Sequence, residues 1–434
     1  MDQQQEKWDW TPGQRKIGDF PAWRDRFSYM EEPYVSGDGE KIAAIVKTED
    51  ETFTACVNGT LWESQYDKLW HLRFTPDQRA LALVSDMAMW TVAVDGTAWE
   101  NWYEFVWKPC FAKNAPHITV AAQKELRYRA VTDDVPWENE FFALTYLTVS
   151  PDGKKAAAVV QDTWLPEADI EKFQESGFTV AINGKPWNNH YVNIWELAFS
   201  ANGAHLAAEL RTSLYDYTIA VDDQAWKKRY AGVWAPRFHP LNHSVSAPVR
   251  MAGGWGLAKD DEILWNPKYV QLWHHMYSPD GSRIAAITAP EYGKWTIAVN
   301  DRPWKIRFTE LVTDAVFSPA GDRVGCVGKT EGKWYVAVDD QIWDTGQDMA
   351  WQPVFSPDGA HAAAKVEKNG QFTILLNGRP IDMKFADAWQ PVFSPDSRKL
   401  LIRAVLPQSQ GGHYCRIVLN VDSPALSERR PGHA

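Results

Sequence analysis

The sequence has few cysteines, no long apolar run and no excess of positive charge, and each absence removes a class of protein. Its four cysteines, Cys56, Cys110, Cys326 and Cys415, form no CxxC pair and no CxxCH haem-attachment motif. An iron–sulfur cluster or c-type haem held by this chain is therefore not expected. No run of 18 apolar residues occurs, and the first residues, MDQQQEKWDW, lack the apolar core of a signal peptide. The chain reads as soluble and cytoplasmic. A formal net charge of -11 argues against a sequence-independent nucleic-acid binder, which draws its affinity from Lys and Arg neutralising phosphates. The one basic run, Lys227-Lys228-Arg229, reads as a solvated strand edge. Catalytic signatures are missing too: there is no G-x-S-x-G elbow, no H-E-x-x-H, no P-loop and no helix-opening G-x-G-x-x-G. His274 and His275 are adjacent on a strand and face opposite sides, so they do not jointly hold one ion. The expectation is a non-enzyme with no catalytic residues, no cofactor and no metal of its own.

What the chain has in quantity is tryptophan, 24 residues, and repetition. Trp351 to Trp389 reads WQPVFSPDGAHAAAKVEKNGQFTILLNGRPIDMKFADAW, and WQPVFSPDS then restarts it. The aromatic of the F-S-P position recurs at Phe199, Phe238, Tyr277, Phe317, Phe355 and Phe393, at steps of 39, 39, 40, 38 and 38 residues. Earlier copies begin at Tyr34, Phe74, Phe111 and Val149, which makes ten. Within a copy the periodicity is that of strands. In Trp195-Glu196-Leu197-Ala198-Phe199 the Trp, Leu and Phe share a face. The S-P-D-G that follows is a tight reversal into a short Ala/Ile/Val strand. A polar loop then leads to a third strand such as TIAVN, which ends in Asn-Gly, Asp-Gly or Asp-Asp, the residues that tolerate the left-handed backbone of a two-residue hairpin turn.

Four short antiparallel strands in about 39 residues, repeated with almost no helix, describe β-propeller blades. The segments PVFSPDGAHAAAKV, YSPDGSRIAAIT and VSPDGKKAAAVV resemble the SPDG-containing repeats of TolB-type, WD-repeat-like β-propellers. The fold expected is all-β: about ten four-stranded blades, a single ring favoured and two smaller rings as the alternative. Residues 34–434 carry the repeats, and residues 1–33 form an N-terminal segment. The last copy has no clear fourth strand after CRIVLNVD, so residues 15–30 are expected to pair into it and close the last blade, protecting its edge.

Sorting the tryptophans by phase separates packing from candidate sites. Eight follow the third-to-fourth-strand turn, seven stand four residues before the F-S-P aromatic, and Trp90, Trp295 and Trp334 open the third strand. A residue used at one phase in every blade is read as packing between blades. Trp8, Trp10, Trp23, Trp102, Trp164 and Trp255 are off phase and are candidates for special roles. The step from Val149 to Phe199 is longer than the rest because of an insertion near 162–177, DTWLPEADIEKFQESG, expected to form about two turns of amphipathic helix. Such a loop is where propellers often carry recognition, the alternative being a helix folded down to cover the fourth blade. The candidate partner-binding residues are therefore Trp164, Leu165, Glu167, Asp169, Glu171 and Phe173 in the insertion, with Trp8 and Trp10 at the N-terminus. Asp152, Asp280, Asp358 and Asp396 should share one rim with the pairs Asp222-Asp223, Asp260-Asp261 and Asp339-Asp340. Turn chemistry explains each acid, and their sum would steer a basic partner.

The function expected is a protein-interaction or scaffold subunit, with a ligand-binding propeller of carbohydrate type as the alternative. The length, Trp abundance and repeats also resemble the tryptophan-rich accessory subunits of the Tmc transmembrane redox complex of sulfate-reducing bacteria. That resemblance implies an electron-transfer complex whose iron–sulfur subunit and membrane cytochrome subunit carry the cofactors, with this chain peripheral at the inner face of the membrane through those partners.

Overall fold

The computed structural model describes residues 5–164, 177–343 and 345–422. The chain is an all-β propeller of ten antiparallel blades. In blade 1 the strands Tyr34–Val35, Ile42–Lys47, Phe53–Val57 and Thr60–Leu61 pair in chain order. Blades 2 to 10 begin their first strands at Lys68, Phe105, Ala143, Asn193, Gly232, Gln271, Leu311, Met349 and Asp387. The blades fall into two compact units, one of residues 1–65, 72–74 and 276–434, the other of residues 66–71 and 75–275.

The second strand of each blade is covered on both faces, which is why IAAIV and ALALV read as continuous apolar runs rather than as alternation. Alanine at successive positions lets neighbouring sheets approach. Ala121 and Ala130 of blade 3 share one buried cluster with Leu144, Ala156 and Ala158 of blade 4. Trp137, which follows the last turn of blade 3, fills the same cluster and is only 7% exposed. It is packing between blades.

Turn chemistry accounts for the acids. Asp95, Asp222 and Asn300 open the last hairpin turn of their blades with φ of 47°, 47° and 48°. Their side chains accept from the N–H that starts the second strand, at 2.8 Å from Ala80, 2.9 Å from Leu206 and 2.8 Å from Ile284. The next residue of the turn clasps the preceding blade: Asp223 accepts from the Asn188 N–H at 2.9 Å, and Asp261 from the Lys227 N–H at 2.9 Å. In the S-P-D turn, the Ser278 hydroxyl donates to Asp280 at 2.5 Å and accepts from the Arg283 N–H at 3.0 Å. Bonds from Ser278 and Ser282 hold the Asp280 carboxyl down at about 2. The two kinds of turn lie on one side of a blade, since His117 Nδ1 meets Asp133 at 2.6 Å and Arg323 Nε meets Asp339 at 2.8 Å. The acids there are engaged.

The last blade takes its outer strand from the N-terminus. Gly13–Gly18 pairs antiparallel with Tyr414–Asn420, placing Gln14 opposite Ile417. The strand is shorter than the 15–30 expected, because Asp19 accepts from the Ala22 N–H at 3.2 Å and caps a helix, Phe20–Arg26, with Pro21 in its first turn. Phe20 and Trp23 bury against Ile42 and Tyr414.

Candidate ligand site on the aromatic face

The first strand of a blade carries a device the sequence periodicity does not show. After the third residue its ladder slips, between Trp107 and Cys110 in blade 3 and between Thr145 and Thr148 in blade 4. The residue after the slip takes a left-handed backbone: His71, Lys108, Tyr146 and His274 have φ of 53°, 52°, 50° and 46°. Such a bulge re-aims side chains that simple alternation would bury. In blade 6 the strand breaks instead, into Gly232–Val233 and Arg237–Phe238, because Pro236 has no N–H to donate. As a result Trp70 is 48% and Trp234 42% exposed, whereas Trp265, which follows a turn, is 4% exposed. The expectation that the first-strand tryptophans are packing holds for Trp107 and Trp389, which lie against buried clusters, and does not account for the exposure of Trp70 and Trp234.

First-strand Trp residues meet the aromatic that opens the third strand of their own blade, stacked in blades 5 and 6 and tilted or edge-on in blades 2, 3, 9 and 10. Trp70 meets Trp90 at 5.0 Å, Trp195 meets Tyr217 at 5.9 Å and 21°, and Trp234 meets Trp255 at 5.5 Å and 14°. Trp255 is thus on phase, a correction to its place among the irregular residues. It stands three residues before Ala258, as Trp90 stands before Ala93. Gly254 brings its strand against the last one: a Cβ there would lie 2.5 Å from the Tyr269 carbonyl oxygen.

Between the stacks of blades 5 and 6 lies a cavity of about 660 Å³, lined by Trp195, Tyr217, Trp234, Trp255 and Trp273 with Glu196, Glu209, Arg237, Arg250, His274 and His275. In blade 5 the register passes from Ile194–Leu210 to Leu197–Ala208, so that Trp195 and Glu196 together oppose Glu209. The Glu209 side chain is 6% exposed, and its carboxyl has no hydrogen-bond partner among the described residues. Burial, with the Glu196 carboxylate nearby, pushes it up to about 8. His275, also in the lining, is 2% exposed and its Nε2 lies 2.8 Å from the Ser246 hydroxyl. Burial and the Arg237 charge push that imidazole down to about 3, so it stays neutral. The cavity is lined by acidic, basic and aromatic side chains.

The residues singled out from sequence lie elsewhere. Trp8 and Trp10 stack on each other at 6.0 Å, half-buried, with the Trp10 indole donating to the Gln5 carbonyl at 3.0 Å. Trp164 is 64% exposed. Leu165, Glu167, Asp169, Glu171 and Phe173, and the helix expected around them, lie outside the described residues. Among the described residues no three His, Cys, Asp or Glu side chains converge as a metal would require, and no helix is long and apolar enough to cross a membrane. Glu209 and Arg237 went unnoticed in the sequence, and His275 was considered there only as a metal ligand paired with His274. One signal was available: Glu209 occupies a second-strand position that holds Ile45, Leu83, Ala121, Val159 and Val327 in other blades.

No family model matches the chain, and no curated protein does. Among solved structures it is similar to a eukaryotic initiation factor, at 14% identity over 79% of this chain and 94% of that one, with a TM-score of 0.49. It is also similar to the Cps50 (Swd1) β-propeller domain of Myceliophteria thermophila, at 13% identity over 64% and 96% with a TM-score of 0.32. TolB from Acinetobacter baumannii matches at 15% identity over 56% and 60%, with a TM-score of 0.29. These structural neighbours are WD40- and TolB-type β-propellers.

Proposed function

We propose that the chain is a non-catalytic protein-interaction scaffold that presents its aromatic first-strand face to a protein partner. Propellers commonly serve in this way. The observation that supports the reading is the exposure of Trp70 and Trp234 at 48% and 42% on strands whose neighbours are well packed. Large half-exposed aromatics, Trp234 with Arg237 and Arg250 beside it, are the residue types that dominate interface energetics. The engaged acids of the turns make a poorer anchor, since their carboxylates already accept backbone hydrogen bonds. The finer reading, a subunit of a membrane-associated electron-transfer complex peripheral to the membrane through an iron–sulfur partner and a cytochrome, rests on the resemblance alone. Co-purification tests both levels. The scaffold reading expects a defined partner that is retained by wild type and lost with Trp70→Ala plus Trp234→Ala. The finer reading further expects haem absorbance in the retained fraction. A partner retained equally by the double variant would overturn the choice of face.

A further inference from the structure

The position of Glu209 recurs with a charge in two other blades, and those two explain what the slot is built to hold. Lys365 of blade 9 and Arg403 of blade 10 occupy the same place on the second strand. The Lys365 ammonium lies 3.7 Å from the centre of the Trp351 ring and 5.2 Å from that of Phe372, and donates to the Ala388 carbonyl at 2.9 Å. Arg403 donates to the carbonyls of Ser36 and Gln390 at 3.0 Å and 2.6 Å. Aromatic faces and carbonyl oxygens carry negative potential, so the slot suits a cation. In blade 5 the same second-strand position, opposite Trp195, instead holds an acid, buried, unpartnered and bordering an open cavity.

We propose that this cavity binds the ammonium group of an organic cation, primary or methylated, with the charge against Glu209, Trp195 and Tyr217 and the apolar body against Trp234 and Trp255. The ligand supplies from outside the cation that blades 9 and 10 carry on their own chains. A free amine and a lysine side chain of a partner protein present the same chemistry. The site stands independently of the scaffold reading.

The test uses the full chain, wild type and Glu209→Gln, with benzyltrimethylammonium as a free cation, Nα-acetyl-lysine amide as the side-chain mimic, and benzoate and methyl glucoside as controls. Tryptophan fluorescence reports binding, and calorimetry at pH 7 in two buffers of different ionisation enthalpy reports protons. A cation brought against the neutral Glu209 carboxyl ionises it. Binding therefore releases most of one proton per cation, and affinity rises with pH up to about 8. Glu196, Tyr146, Tyr217, Arg237, Arg250, His274 and His275 also face the cavity, and the Glu209→Gln variant separates the Glu209 proton from theirs. The variant removes a carboxyl that burial disfavours, so it folds, and circular dichroism checks this. It should lose roughly tenfold in affinity and all proton release. Binding of only one of the two cations identifies the source of the ammonium. Failure of both cations to bind, equal binding of benzoate or the glucoside, or a Glu209→Gln variant that binds as wild type does, overturns the proposal. Loss of a protein partner in the double-Trp variant bears on the scaffold reading alone.

Discussion

Lys365 and Glu209 occupy one position of the repeat and meet opposite fates. In blade 9 the ammonium finds a ring face at 3.7 Å and a carbonyl at 2.9 Å. Burial lowers its pKa while Asp387 and Glu367 oppose that shift. In blade 5 the carboxyl lines a cavity with Trp195 and Tyr217 and has no donor among the described residues. The residue matching Asp387 ahead of the next first-strand Trp is Gly232, which offers no charge. The slot is a cation site in both blades, and what differs is whether the chain fills it. A buried carboxyl without a hydrogen-bond donor costs stability, and such exceptions to consistent packing are expected at functional sites.

The comparison breaks most visibly by reversing it. Lys365→Glu places an anion against the Trp351 ring, beside Asp387 and Glu367, and should cost about 3–5 kcal/mol in chemical denaturation. Glu209→Lys should cost far less or stabilise, and equal losses for the two would refute the shared slot. Next in size is a pH effect. Below about 4.5 the Glu209 carboxyl is protonated in folded and unfolded chains alike. Between 4.5 and about 8 the unfolded chain releases the proton and the folded one keeps it, so stability falls as pH rises through this window and levels off above it. Glu209→Gln abolishes that fall, giving a variant more stable than wild type by roughly 4 kcal/mol at pH 8 and indistinguishable at pH 4 in urea melts. The smallest effect belongs to the turns, where acids are satisfied. Asp261→Ala removes the acceptor of the Lys227 N–H and should cost about 1 kcal/mol by the same melts, with no change in the slope of stability against pH between 6 and 8.

The ten blades were readable from the sequence because repetition multiplies a weak signal: each SPDG and each Asp-Asp is a modest turn cue, and their recurrence every 38–40 residues leaves little else. The site was not readable for three physical reasons. Strict alternation assigns Trp195, Leu197 and Phe199 one face, but the bulge opposite Glu209 breaks alternation at that point. Counting tryptophans by phase treats Trp234 and Trp265 alike, although Pro236 breaks the first strand beside one and a packed blade interface closes over the other. A single glutamate in LAAELR looks like an ordinary surface residue until the second strand is seen to be covered on both faces. The aligned copies held the clue, since Glu209, Lys365 and Arg403 share a register that is otherwise apolar or proline. The attention given to the insertion came from the same logic of broken pattern. The more telling break was one residue long.

The most direct measurement is a carbon-13 NMR titration of the Glu209 side-chain carboxyl, assigned by difference against Glu209→Gln and run with and without benzyltrimethylammonium. The account predicts a midpoint near 8 in the free protein and a clear downward shift when the cation is added. A midpoint near 4.5 in the free protein, or one that the cation leaves unmoved, would contradict it.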